Sequence, residues 1–430
     1  MKAPVPALLR SYRVAAALLE PAAAMLLAWR RRKGKEDRTR LGERRGAPGR
    51  PRPPGPLVWV HGASIGETVS ILPLVERLTA QGVSVLVTSG TRTSAELIAK
   101  RLPPGAFHQF MPLDVPRYVR RFLDHWRPGL ALFAESEIWP NTVMEIDRRG
   151  VPLVLVNARL SERSYRRWMR LEGAARALLA RFSLCVAQSP GDAERLARLG
   201  AARVVVAGNL KFDAPPPPAD PRLVASLSGL LAGRPVWVAA STHPGEEEIV
   251  AGVHRALAER HPDLLTIVAP RHPQRGAEVA AIAQEAGLAA SRRSAGLQPD
   301  RATDLYVADT VGELGLFYRL SPLVFMGGSL VPHGGQNPIE PAKLGTAILH
   351  GPHVHNFTDV YAAIDRAGGA LPVSDGGSLA GALDDLLGDA ATTRAMARAG
   401  AETVEALGGA LERTLQSVQP FVMALKLEAP

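Results

Sequence analysis

The chain has 430 residues and a single cysteine, Cys185. One cysteine excludes an intramolecular disulfide and a multi-cysteine zinc site, and it fits a reducing compartment. The eleven histidines include no HExxH spacing, and the closest pair, His353 and His355, has no further ligand to complete a metal site. No GxGxxG opens either half, which argues against a dehydrogenase. No aspartate pair of DxD type stands at a suitable strand end, and no internal repeat is visible. Nor is there an uninterrupted apolar run of the ~20 residues that a membrane span requires.

Charge is also missing where a nucleic-acid binder would carry it. The formal net charge is +10, but residues 1–52 hold 14 Lys and Arg against 4 Asp and Glu, and the other 378 residues hold 37 of each sign. The body is therefore neutral and the excess lies in one N-terminal arm. That arm contains an apolar segment, Val14 to Trp29, interrupted by Glu20 and Pro21, followed by Arg30, Arg31, Arg32 and Lys33. A cleavable signal peptide carries its charges ahead of the apolar core and does not hold Glu-Pro inside it. Residues 4–29 read as a helical anchor embedded in, or lying on, the cytoplasmic face of the inner membrane. The basic cluster would contact anionic headgroups there; a flexible basic tail is the plainer alternative.

The Pro/Gly stretch 46–56 reads as a linker. Beyond it, apolar runs at 57–60, 83–87, 130–133, 153–156, 184–187 and 204–206 alternate with helical stretches, the mark of βαβ units. A stiff Pro-rich segment, 214–222, interrupts the series. A second series follows, with strands expected at 236–239, 264–268, 323–326 and 347–349. The expected organisation is an arm (1–52), a first Rossmann-like domain (53–213), the linker (214–222) and a second Rossmann-like domain (223–430). Two doubly wound α/β domains of this kind bind ligand in a cleft at the carboxyl ends of their strands.

The richest motif is GGSLVPHGGQNPIEPAKLGTAILHGPHVHNF, residues 327–357. Glycines follow a strand and precede Asn337, a capping residue, Pro338 at a first helical position and Glu340 at the capping-box position. Such a turn admits an anion, usually phosphate, to backbone N–H groups. At 60–68, Ser64 and Glu67 have S-x-x-E spacing, so Glu67 reads either as a cap or as a general base. A helix terminus lowers a carboxyl's pKa, so a base there needs burial or a second carboxylate to offset it. Glu135 and Glu137, at the end of another strand, project to one side if the strand continues. Lys211 at the end of the first half is either a surface lysine or a phosphate contact. Arg271 suits bidentate phosphate binding; His272 beside it and His243 read as structural or capping residues. Thr310 and Glu313 repeat the capping spacing, with N–H groups available for an anion.

Taken in order, HGASIGE (61–67), AESEIWPN (134–141), VNARLSERSYRRW (156–168), GNLKFD (208–213), STHPGEEE (241–248), PRHPQR (270–275), DTVGELG (309–315) and the 327–357 motif resemble the 3-deoxy-D-manno-octulosonic acid (Kdo) transferases. The resemblance implies a GT-B fold, a CMP-Kdo donor, a lipid A precursor as acceptor in lipopolysaccharide biosynthesis, and inversion at the anomeric carbon. It implies Glu67 as the base, with Glu135 and Lys211 supporting the transition state and Glu137 the alternative carboxylate. Arg271, His272, Gly312, Glu313, Leu314, Asn337, Pro338, Ile339 and Glu340 would hold CMP, with no metal or other cofactor. Gln336 stands where the family commonly has His. The competing expectations are a sugar-nucleotide epimerase of the same architecture and a non-enzymatic membrane-binding protein. Nucleic acid is not an expected partner.

Overall fold

The computed structural model describes residues 5–427. Pro4, where the expected anchor begins, and the extreme ends of the expected arm and second domain lie outside the described residues. The chain forms two compact units, residues 1–214 with 407–430 and residues 215–406.

The first unit is a seven-stranded parallel sheet of β1 (Leu57–His61), β2 (Ser84–Ser89), β3 (Ala106–Phe110), β4 (Leu130–Ala134), β5 (Leu153–Ala158), β6 (Leu184–Ala187) and β7 (Val204–Val206), in the order β3-β2-β1-β4-β5-β6-β7. Alternation along each strand feeds two cores. Leu57, Trp59 and Phe133 enter the cluster on one face, and Val58, Val60 and Leu132 the cluster on the other. The second unit repeats the plan with β8 (Val236–Thr242), β9 (Leu265–Pro270), β10 (Ala290–Arg292), β11 (Leu305–Val307), β12 (Leu323–Met326), β13 (Ala347–His350) and β14 (Ala370–Pro372), in the order β10-β11-β9-β8-β12-β13-β14. Both sheets are parallel throughout, and their central strands are buried, as helices on both faces require. The fold is α/β of GT-B type, two doubly wound domains.

At the centre of each sheet the strand order changes direction, between β1 and β4 in the first and between β8 and β12 in the second. At such a switch point the two crossover connections leave to opposite faces, and their divergence opens a crevice at the carboxyl ends of the strands.

Two expectations about domain limits are corrected. Residues 407–430 do not stay with the second unit. Asp213 accepts the Leu411 N–H at 2.9 Å and the Gly409 N–H, Arg413 reaches the Ala207 carbonyl at 2.7 Å, and the helix Ala410–Leu427 buries Leu415, Val418 and Val422 in the first unit's core. Nor is the arm a separate body. Arg44 is buried between Glu36 at 3.0 Å and the carbonyls of Met111 and Gly90, and Glu43 accepts the Phe110 N–H at 2.7 Å. Glu36, Glu43, Arg40 and Arg44, charges that read as part of a solvated tail, are spent on internal pairs and on the open edge of β3. Ahead of them lie two helices, Ala7–Leu18 and Glu20–Arg32, bent by 61° at the break. No single described helix is long and apolar enough to cross a membrane, and this bent pair meets the length and composition only when taken together.

Candidate active site

In the first unit the chain leaves β1 through Gly62 and turns into the helix Ile65–Ala80 at Ser64, whose hydroxyl caps it by accepting the Glu67 N–H. The Glu67 carboxylate folds back over this turn, taking the Ala63 N–H at 2.8 Å and the Ser64 hydroxyl at 2.7 Å. These bonds favour the ionised form, yet burial outweighs them, and the charges of Glu135 and Glu137 add to it, so the Glu67 carboxyl sits above the ordinary glutamate range.

The other side of the switch point carries Glu135 and Glu137. The strand does not continue through them: β4 ends at Ala134, and Glu135 takes a left-handed backbone conformation at φ +54°. The expectation that strand periodicity aligns the two carboxylates is therefore wrong. Their partners also differ. Lys211 pairs with Glu135 at 2.8 Å, so within its own unit the lysine is a neutralising partner of that carboxylate. Glu137 receives the Trp139 indole N–H at 2.7 Å and lies 3.3 Å from His61 Nε2. Burial pushes the Glu137 carboxyl up, but the hydrogen bonds and charge of His61 and the Trp139 bond outweigh it, and the net shift is downward. Three carboxylates with different partners thus lie at one switch point: Glu67 over the turn after β1, Glu135 on Lys211, and Glu137 on His61 and Trp139.

In the second unit the loops after β8, β9, β11 and β12 converge by the same logic. Gly327 lies against the backbone of Ser241 and Thr242, where an added Cβ would come within 2.6 Å of the Ser241 carbonyl. The glycine loop is held by Glu246, a fully buried carboxylate that accepts four backbone N–H groups: Gly328, Ser329 at 3.0 Å, Leu330 at 3.0 Å and His243 at 2.9 Å. His243 is not the helix cap, a position Gly245 takes; its ring stacks on His333 at 3.7 Å, and its Nε2 lies 3.0 Å from Gln336. Burial, then the neighbouring His333, His272, Arg271 and Arg275, lower the His243 pKa to about 4.

Asn337 accepts the Ile339 N–H at 3.1 Å, and its amide reaches Glu340 at 3.4 Å. The helix there is short, Ile339–Lys343, and it begins after Pro338 rather than at it. Arg271 and His272 are exposed after β9, and the Arg271 guanidinium makes no ion pair among the described residues. At 312–314, Gly312 has φ +85° and the N–H groups of Gly312, Glu313 and Leu314 have no partner among the described residues. The Glu313 side chain is committed: Arg293 binds it at 2.7 and 3.0 Å, which lowers its pKa. Its N–H can meet a ligand; its carboxylate serves the loop. No described group of three or more His, Cys, Asp and Glu side chains is placed to hold a metal ion.

The model of the 3-deoxy-D-manno-octulosonic-acid transferase (kdotransferase) family matches residues 39–214. The 3-deoxy-D-manno-octulosonic acid transferase of Haemophilus influenzae is 35% identical over 392 residues, 90% of this chain and 92% of that protein. The chain belongs to this family. The enzyme of the same name from Bordetella pertussis is 38% identical over 86% of this chain and 89% of its own length. Among solved structures, a glycosyltransferase from Rickettsia africae aligns with TM-score 0.58 at 12% identity, covering 86% of this chain and 99% of that one. A putative UDP-N-acetylglucosamine 2-epimerase from Listeria monocytogenes gives the same TM-score at 15% identity over 86% of this chain and 97% of its own. At these identities both likenesses speak to the fold alone. Membership of the transferase family makes the chain a glycosyltransferase.

Several residues of the site were not singled out from sequence. His61 ends an apolar strand, and a buried imidazole facing a strand-end carboxylate was its only signal. Glu246 and Glu247 look like ordinary acidic residues of a helix's first turn. Both are buried, with Glu247 taking Arg275 at 2.7 Å and Thr242 at 2.9 Å. Nothing local in the sequence separates them from the exposed Glu248.

Proposed function

We propose that this glycosyltransferase moves Kdo from CMP-Kdo to a hydroxyl of a lipid A precursor with inversion, and that Glu67 is the general base. One observation carries this reading: a carboxylate fixed by two hydrogen bonds at a switch point, with its pKa raised by burial and like charge. A carboxyl tuned upward in that way accepts a proton better than an ordinary glutamate. Glu135, paired with Lys211, and Glu137, held by His61 and Trp139, face the positive charge that develops on the sugar.

The anomeric carbon of Kdo bears a carboxylate and no hydrogen, so its transition state is oxocarbenium-like, with CMP departing. Arg271 and the N–H groups of Gly312, Glu313 and Leu314 neutralise the leaving phosphate without a metal. His272 and the 337–340 turn, where Asn337 and Glu340 present polar groups and Pro338 and Ile339 the apolar floor, hold the rest of CMP. The family relatives support the transfer of Kdo; the donor, acceptor and stereochemistry are our reading.

The test is turnover of detergent-solubilised protein with CMP-Kdo and lipid A precursor, with and without EDTA. CMP release that requires the lipid and persists with EDTA is expected. Chelator-sensitive activity refutes metal independence, and donor turnover without lipid favours an epimerase.

In this reading the helices at 7–32 hold the enzyme at the cytoplasmic leaflet of the inner membrane, where anionic lipids would meet Arg30, Arg31, Arg32 and Lys33. Supporting this, Leu18, Leu19 and Met25 are 75%, 60% and 67% exposed, which is uneconomical in water. Deleting residues 1–32, ahead of the buried Glu36 and Arg44, is expected to release the protein from membranes while CMP binding persists. Unchanged partitioning refutes the anchor.

A further inference from the structure

Beside the break between the two N-terminal helices the first unit contains an open pocket of about 680 Å³. Its charged lining consists of Arg45, Arg117, Arg121 and Glu20, and its rim includes Leu18 and Tyr118. The three guanidiniums come from two places brought together by one glycine. Gly46, at φ +75°, packs on the helix Pro116–Trp126 so closely that an added Cβ would overlap the Tyr118 carbonyl. This contact sets Arg45 beside Arg117 and Arg121, which lie one turn apart.

The charges do not balance. Glu20 meets Arg117 at 3.4 Å, a long contact, and Arg45 and Arg121 form no ion pair among the described residues. Guanidinium groups gathered around an open pocket with one carboxylate among them leave a local excess of positive charge, and arginine's planar fork matches phosphate oxygens. The pocket opens at the elbow where Leu18 and Leu19 are bare, so the anion that belongs there is attached to something apolar.

We propose that this pocket binds the phosphate headgroup of an anionic membrane lipid, with the acyl chains running along the exposed faces of the two helices. The site is distinct from Arg30, Arg31, Arg32 and Lys33, and it gives the elbow a defined lipid contact rather than diffuse attraction. The inference rests on the reading of residues 7–32 as membrane-facing.

The experiment is flotation of the full chain with vesicles of phosphatidylcholine alone or mixed with phosphatidylglycerol, at about 0.1 M salt. Three proteins are compared with the wild type: R45Q/R117Q/R121Q, a control R77Q/R92Q/R198Q that removes three exposed arginines elsewhere on the unit, and E20Q. At the roughly fivefold per arginine expected near an anionic surface, the pocket triple should lose on the order of 100-fold in partitioning onto anionic vesicles. It should change little on neutral ones, and the control should lose far less. E20Q removes the only opposing charge of the pocket and should bind anionic vesicles more tightly, a gain that misfolding cannot imitate. Equal losses in the two triples, or no gain in E20Q, overturn the pocket while leaving the anchor reading standing. Failure of the wild type to float with either vesicle overturns both.

Discussion

Lys211 and Glu135 form an ion pair at 2.8 Å within the first unit, and Glu135 holds it from a left-handed backbone conformation at φ +54°. A non-glycine residue in that region costs on the order of 1 kcal/mol or more, and surrounding contacts must hold it there. Here the strain turns the end of β4 so that Glu135 faces Lys211 while Glu137 faces His61. Because the negative charge of Glu135 helps raise the Glu67 carboxyl, Glu135→Gln lowers the Glu67 pKa. The acid limb of the kcat/KM profile is then expected to move to lower pH. Parallel pH–rate profiles of wild type and variant check this, and an upward move contradicts it.

Ser64→Ala acts with the opposite sign. The Ser64 hydroxyl bond stabilises ionised Glu67, so its loss raises the Glu67 pKa and moves the acid limb to higher pH. The same change removes a helix cap, at about 1 kcal/mol of stability. Thermal or urea unfolding, run beside the pH profile, separates the two effects.

Glu246→Ala leaves four buried backbone N–H groups without an acceptor. Roughly 3–5 kcal/mol of destabilisation is expected, near the upper end for a buried polar network. In a folded preparation the KM for donor should rise more than kcat falls, since Glu246 holds the glycine loop and touches no reacting atom. Urea unfolding and steady-state kinetics report the two quantities.

His243 titrates at about 4 in the folded protein, below the ordinary histidine value of about 6.5. As pH falls, the unfolded chain takes up this proton first, so folding favours the neutral ring. The corresponding stability is complete above about pH 6.5 and is lost as pH drops through about 4. The difference in unfolding free energy between wild type and His243→Gln should therefore slope across that window and be flat above it. No slope in the difference curve rejects the assignment.

Much of the two-sheet plan was legible because buried parallel strands are runs of Val, Leu and Ala. Those at 184–187, 204–206 and 323–326 were read with their observed limits. Strands β3, β10, β11 and β14 escaped because they are short or, like Ala106–Phe110, mix His and Gln into the run. The helix Ala410–Leu427 shows an apolar face, but a face does not name the core it fills; only the bonds from Asp213 and Arg413 do. Arg44 and Glu36 read as solvated charges because local sequence does not reveal a pairing that depends on where β3 runs. At the site, the turns bearing Glu67, Glu135, Arg271 and Asn337 were visible as glycine, proline and acidic residues after apolar runs. The left-handed turn at Glu135, the Lys211 pairing and the buried knot at Glu246 arise from contacts between distant segments.

The most direct test of the account is single-turnover transfer by wild type and Glu67→Gln, with CMP-Kdo and lipid A precursor in detergent and the lipid product weighed by mass spectrometry. The wild type should add one or more Kdo units. Glu67→Gln, nearly isosteric and still able to accept the Ala63 N–H, should lose ~10²–10⁴-fold in rate with CMP binding retained. A variant that transfers at near wild-type rate contradicts the base assignment, and a wild type that binds CMP but yields no Kdo adduct contradicts the proposed reaction.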